Sequence, residues 1–252
     1  MTALTDLVTL SRELGKPERN LVIIGEGNTS LRVDAETFWV KASGYQLPSI
    51  DAQGFTQVRF APILDLFEHP PATQTEQKAR LRAACVDASA PMPSIETSFH
   101  AMLLDVCQVN CIAHTHPTAV NRLMCSEHAE LLATRRIFPD EAVLCGPESV
   151  FVPYADPGLP LGIAIREGVR QYMATYAEAP KVVLLGNHGL ITLGSTPTEA
   201  FNITLMVVKA AEILWGALAI GEVRFMSRED ILHIYRRPDE IDRRQLFMDN
   251  RS

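Results

Sequence analysis

Apolar residues recur at helical spacing from Thr5 to Leu14, where Leu7, Val8, Leu10 and Leu14 share one side and Gly15 supplies a stop. The pattern then changes. Leu21-Val22-Ile23-Ile24 is a short continuous apolar run that predicts a strand, followed by Gly25-Glu26-Gly27-Asn28 and a second strand at Thr29–Val33. A turn at Asp34-Ala35-Glu36 leads to a third strand, Thr37–Lys41, and strands joined this closely predict an antiparallel meander. Helices are expected at Phe60–Glu68 and Thr75–Asp87, either side of the break at Pro70-Pro71.

The middle of the chain alternates the two periods. Ser94 is a suitable N-cap for a helix over Ile95–Val106, whose apolar positions Ile95, Phe99, Met102, Leu103 and Val106 keep helical spacing. An apolar strand, Cys111-Ile112-Ala113-His114-Thr115-His116, ends at Pro117, and a helix follows near Ala119–Ser126. Strands are predicted at Ala142–Cys145 and Ser149–Val152, and a helix at Leu161–Tyr176. Lys181–Leu185 reads as a buried strand reversed by Gly186-Asn187-His188-Gly189 into Leu190–Leu193, and a long helix runs from Ser195 or Thr196 to about Ala219. Intermingled helices and strands place the chain in the α/β class with a partly antiparallel sheet.

Composition narrows the picture. At 252 residues and 47% hydrophobic, with no shift in composition along its length, residues 1–252 are expected to form a single domain. A net charge of −7 and the lack of a Lys/Arg stripe argue against nucleic acid or an anionic membrane as partner. No secretory signal and no membrane-spanning run is expected, which predicts a cytoplasmic protein. The five cysteines form no Cys-x-x-Cys pair and read as reduced thiols.

The candidate chemistry lies in His114-Thr115-His116. Strand side chains alternate faces, so these two imidazoles project together, and a shared metal would satisfy nitrogens that an apolar surrounding leaves unpaired. His69, His128 and His233 have no such neighbours and read as ordinary histidines. Glu96 and His188 are the further candidates: three neutral imidazoles and a carboxylate suit a divalent metal such as zinc, with a position left open for chemistry. An open site of that kind implies an enzyme. Glu96 near a helix start also has a bland reading as charge complementarity to the dipole, and His100, one turn on, could orient Glu96 or merely pack.

Four motifs in order, Gly27-Asn28-Thr29-Ser30, Ala42-Ser43-Gly44, Glu96-x-x-x-His100 followed by His114-Thr115-His116-Pro117, and Asn187-His188-Gly189, resemble the class II aldolase/adducin family over about residues 5–220. Within it, Gly25–Ser30 with Trp39–Gly44 looks most like the aldolase half of rhamnulose-phosphate aldolase/dehydrogenase fusions. The resemblance implies a three-layer α/β/α fold around a mixed, largely antiparallel sheet. It also implies a homotetramer with active sites at subunit interfaces. His114, His116 and His188 become the implied zinc ligands and Glu96 the acid/base. Gly27, Asn28, Ser43, Gly44 and Ser94 become the implied contacts to substrate or its phosphate, with simple tight turns as the alternative for the glycine loops. Ile95 departs from the family pattern of two hydroxyl residues before the glutamate, which bears on how phosphate is held.

The expected reaction is zinc-dependent retro-aldol cleavage of a small-molecule ketose, ketose phosphate or related hydroxy-keto compound through a metal-stabilised enediolate, with Glu96 moving the proton. Relatives supply a tyrosine to the aldehyde oxygen, for which Tyr235 is a weak candidate. Decarboxylation, epimerisation and dehydration use the same intermediate and stay open. A non-catalytic adducin-like module is the other class, set against by the intact Glu96 and three-histidine set.

Overall fold

The computed structural model describes residues 2–248. Seven strands form one sheet: β1 (Asn28–Arg32), β2 (Thr37–Lys41), β3 (Phe55–Arg59), β4 (Cys111–Thr115), β5 (Val150–Val152), β6 (Val182–Leu185) and β7 (Gly189–Gly194). Their order across the sheet is β3-β2-β1-β4-β7-β6-β5. Every neighbouring pair is antiparallel except β5 with β6, so the sheet is mixed and mostly antiparallel. Strand β4 lies at its centre, with β1 on one side and β7 on the other.

Helices cover both faces. On one side Phe38, Val40, Ile112, Ile191 and Leu193 pack against α2 (Phe60–Glu68), α4 (Thr97–Val106) and α8 (Leu159–Tyr176). On the other, Leu31 and Ala113 meet α1 (Ala3–Leu14), while Leu184 and Leu190 meet α5 (Thr118–Met124) and α9 (Pro197–Ile220). This two-sided burial is why β4, β6 and β7 are apolar nearly throughout. Helix α3 (Gln74–Ala84) packs on α2, and α6 (Ala129–Thr134), α7 (Pro139–Cys145), α10 (Arg228–Arg236) and α11 (Pro238–Met248) complete the α9 side.

Several elements differ from expectation. Leu21–Ile24 is not a strand: Leu21 and Val22 are buried, but Ile23 and Ile24 are exposed and Ile24 takes a φ of +53°. The Glu26 carboxylate captures the Ile23 N–H at 2.9 Å, and the Leu21 carbonyl accepts from the His116 N–H at 2.9 Å, so these groups are satisfied without a ladder. Ala142–Cys145 is the end of α7 rather than a strand. Pro139 at the first turn, Asp140 and Glu141 beside it and Gly146 at φ +84° are the start and stop signals that outweigh its apolar run.

The helix after Ser94 begins two residues later than predicted. Glu96 occupies the N-cap position of α4, and Ser94 instead forms the preceding turn, its Oγ accepting from the Glu96 N–H at 3.3 Å. Helix α9 corrects another expectation: it is long and apolar enough to cross a membrane by length and composition. One face of it, including Ile203, Val207 and Leu214, is buried on the sheet.

Candidate metal centre and acid/base site

The site forms where the ends of β4 and β7, the segment before α4 and the glycine turn before β1 meet. Register places Asn28 directly opposite His114 on the adjoining strands, and both side chains stand on the α4 face. His116 follows His114 just beyond the strand end. His188 comes from the turn between β6 and β7, where Asn187 at φ +54° reverses the chain and Asn121 Nδ2 holds the His188 carbonyl at 3.0 Å.

These elements bring the three predicted ligands together. One nitrogen from each of His114, His116 and His188 lies within 4.8 Å of the others. The Nε2 atoms of His114 and His116 are 3.0 Å apart, and the three rings stand edge to face with centroids 4.8–5.0 Å apart. Glu96 completes the group, with Oε1 3.5 Å from His188 Nε2 and Oε2 3.6 Å from His114 Nε2. Zinc–nitrogen bonds of about 2.0–2.1 Å put tetrahedral ligand atoms roughly 3.3 Å apart, so this donor set fits a cation of that size.

The outer contacts fit as well. His114 Nδ1 lies 3.0 Å from the Leu190 carbonyl, which can only accept, so Nδ1 carries the proton and Nε2 offers its lone pair to the cluster. Burial, and then the neighbouring His116 and His188, hold the His114 imidazole well below its ordinary pKa. His188 is lowered too, chiefly by burial, with the Glu96 charge opposing. Neutral rings are the form that binds a metal. His116 Nδ1 is 3.6 Å from Glu26 Oε1, which ties the exposed turn before β1 to the site.

The loops expected to touch substrate lie close by. The Ser43 N–H donates to the Met92 carbonyl at 2.8 Å and the Ser94 N–H to the Lys41 carbonyl at 3.2 Å, so Ser43 and Gly44 are held beside Ser94 and Glu96. Gly44 has φ +87° and open space where a Cβ would be. Asn28 is spent on the protein: its Nδ2 donates to Glu96 Oε2 at 2.6 Å and its Oδ1 accepts from His100 Nε2.

A match to the family described as the class II aldolase and adducin N-terminal domain extends over residues 5–215. The chain belongs to this family. Among relatives, it is 30% identical over 215 residues to the uncharacterized oxidoreductase YuxG of Bacillus subtilis, matching 82% of this chain and 29% of that protein. It thus spans about three tenths of YuxG's length. The 3-oxo-tetronate 4-phosphate decarboxylase of Haemophilus influenzae is 24% identical over 233 residues, 90% of this chain and 96% of that one. The solved structure of an L-fuculose 1-phosphate aldolase superposes with a TM-score of 0.72 at 18% identity, covering 92% of this chain and 94% of that one. That likeness shows a shared class II aldolase fold.

Tyr235 is placed away from the histidines of its own chain. Its hydroxyl donates to Glu178 Oε2 at 3.0 Å, and it lines a cavity of about 300 Å³ with Lys181, Glu199 and Arg244. Burial and the Glu178 carboxylate push its phenol up to about 12.

One group escaped the sequence reading. Lys41, the last residue of β2, is only 3% exposed, and no carboxylate among the described residues pairs with it directly. Burial lowers its pKa, the Glu96 charge partly opposes this, and the Lys41 charge in turn acts on His114. A lysine on a half-buried strand reads as a snorkelling surface residue, and only its two-residue distance from Ser43 in sequence could have drawn notice.

Proposed function

We propose that this chain is a metal-dependent carbon–carbon lyase, an aldolase that cleaves a ketose, ketose phosphate or related hydroxy-keto compound. The observation that carries the reading is the Glu96 carboxylate within 3.6 Å of an imidazole cluster in which burial holds His114 and His188 below their ordinary pKa. The same cluster without a proton-moving group would suit a structural metal, and Glu96 without the cluster would lack a partner for developing charge.

His114, His116 and His188 would hold the ion, with zinc the best match to three imidazoles. Bound there, a divalent cation supplies Lewis-acid stabilisation to negative charge on the substrate's carbonyl and adjacent hydroxyl oxygens. The remaining work belongs to side chains. Glu96 delivers a proton to the carbon released by bond cleavage, or removes it in the condensing direction. Its Oε2 is held by Asn28, which leaves Oε1 for proton transfer.

Lys41 and the Ser43-Gly44 turn bind the anionic end of the substrate. A buried ammonium without an ion-pair partner is costly, and a substrate phosphate or carboxylate would supply the missing charge. This also accounts for Ile95, 42% exposed where a hydroxyl was expected: the cation takes over what that side chain cannot donate. Exposed Ile23, Ile24 and Tyr154 around the site support a homo-oligomer, a tetramer in this reading, whose subunits border the pocket. Unpaired cysteines throughout the described chain support a cytoplasmic setting.

Decarboxylation is the second reading, favoured by the near full-length match to the decarboxylase of Haemophilus influenzae. Zinc-loaded protein incubated with ketoses, ketose 1-phosphates and phosphorylated 3-keto acids separates the two. Aldehyde without CO₂ supports the aldolase, and CO₂ release from a keto acid replaces it with the decarboxylase. No turnover of any compound by protein carrying stoichiometric zinc would count against both.

A further inference from the structure

Behind Glu96 a chain of hydrogen bonds runs from the site into the core. Its sense follows from the carboxylate inward. A carboxylate only accepts, so the Asn28 atom 2.6 Å from Glu96 Oε2 is the amide nitrogen. Asn28 Oδ1 then faces His100 Nε2, and a carbonyl oxygen also only accepts, so Nε2 must carry a proton. On the other side of the ring, His100 Nδ1 lies 2.7 Å from Ser30 Oγ, whose hydroxyl donates to it when the ring is neutral. His100 and Ser30 are fully buried, and burial, followed by the neighbouring His114, keeps the imidazole well below its ordinary pKa. Phe99 stacks on the same ring with centroids 4.7 Å apart, fixing its plane.

We propose that His100 is a positioning residue: as the Nε2–H tautomer it locks the Asn28 amide so that Asn28 donates to the Glu96 oxygen facing His114. This rests on Glu96 being the group that moves the proton. The physical need is plain. Asparagine can rotate its amide by half a turn with little change of shape, and the rotated form would set Oδ1 against Oε2, two acceptors at hydrogen-bond distance. The Glu96 carboxylate and Ser94 Oγ, 3.4 Å from Asn28 Nδ2, already favour the native orientation, and a fixed donor behind Oδ1 locks it. The hydrogen bonds of the His100 ring go to Asn28 and Ser30 and not to the clustered histidines, so its effect on turnover passes through Asn28.

Two measurements test this, one of them independent of any activity. Long-range ¹⁵N–¹H correlation on the full-length protein labelled at histidine should show His100 as a neutral ring protonated at Nε2. The Asn28 side-chain amide protons should be shifted downfield by the carboxylate. His100→Gln keeps a nitrogen donor near the Nε2 position, His100→Asn can reach only Ser30, and His100→Leu reaches neither. With the substrate that the panel identifies, His100→Leu and His100→Asn should lose about 10–100-fold in kcat with KM and metal stoichiometry retained, and His100→Gln should recover most of that loss. The Asn28 amide shift should collapse in the Leu and Asn variants and persist in the Gln variant. A ring protonated at Nδ1, or an Asn28 resonance indifferent to all three substitutions, would overturn the proposal even if no substrate were found. Equal kcat for the Gln and Leu variants would overturn it where activity exists.

Discussion

A Cβ atom on Gly27 would lie 2.7 Å from the carbonyl oxygen of His114 and 2.8 Å from Val22 Cγ1. The turn before β1 therefore presses directly on the backbone of a residue proposed to ligate the metal, at a φ of +70° that side chains other than glycine adopt at a cost. Gly27→Ala should lower stability by about 2–4 kcal/mol and weaken metal binding, because the main way to relieve the clash is to shift β4. Gly44→Ala is the control, with φ +87° but open space around the added atom, so only the conformational cost applies. Urea titration with parallel zinc titration checks the pair. Equal losses in the two variants would show that the contact with His114 carries no weight.

The ligands and Glu96 should separate cleanly. Glu96→Gln keeps an oxygen for the Asn28 amide nitrogen, 2.6 Å away in the native pair, but removes the proton-accepting carboxylate. It should retain one divalent ion per chain while turnover falls by about 10²–10⁴. His116→Ala removes one of three nitrogens and should lose both the metal and the thermal stabilisation that added zinc gives the wild type. Metal analysis and melting curves with and without zinc read this directly. An active Glu96→Gln enzyme would remove Glu96 from its role.

Lys41→Met keeps most of the aliphatic packing of a side chain only 3% exposed and deletes its charge. For an anionic substrate the expected result is a rise in KM of about 10-fold or more, the worth of roughly 1.5–3 kcal/mol for a charge-assisted hydrogen bond, with a smaller change in kcat. The folded protein should become more stable rather than less, since an ammonium buried without a direct partner is gone. Steady-state kinetics on a phosphorylated substrate and its dephosphorylated counterpart provide the check: the variant should distinguish the two less than the wild type does, and an unchanged ratio would remove Lys41 from this role.

What the sequence discloses and what it hides follow from the range of the forces involved. His114 and His116 share a face because strand periodicity is local, and the core helices α1, α2, α8 and α9 announce themselves by spacing and caps. His188 and Glu96 come to the same point through the register of β4 with β7 and the start of α4, which residue spacing alone does not determine. The sequence marked both as candidates by residue type, and the family resemblance added their implied roles. Strand β3 went unseen because Phe55-Thr56-Gln57-Val58-Arg59 is short and mixed, and its place at the sheet edge is set by pairing with β2. Helices α10 and α11 were missed because both are mostly polar: α10 buries Ile231 and Tyr235, whereas Ile241 and Leu246 of α11 stay exposed. The Ser30–His100–Asn28 chain joins residues 70 and 72 positions apart and has no linear signature.

Acid should unfold this protein in a way that traces to its buried imidazoles. In the folded chain His100 and His114 are fully buried and lie well below the ordinary value of 6.5, so they stay neutral as pH falls, whereas in the unfolded chain they take up protons near that value. The unfolded state then binds more protons, and stability falls as pH drops below 6.5 toward the depressed folded values. Each such histidine contributes a slope of roughly 1.4 kcal/mol per pH unit within that window. His100→Gln removes one titrating ring without replacing any of the proposed metal ligands, so its stability should be less steeply dependent on pH by about one proton. Urea unfolding of metal-free wild type and variant between about pH 5 and pH 7 measures the difference. Parallel curves for the two proteins would mean that His100 binds its proton equally in both states, contrary to a ring that burial keeps neutral in the folded chain.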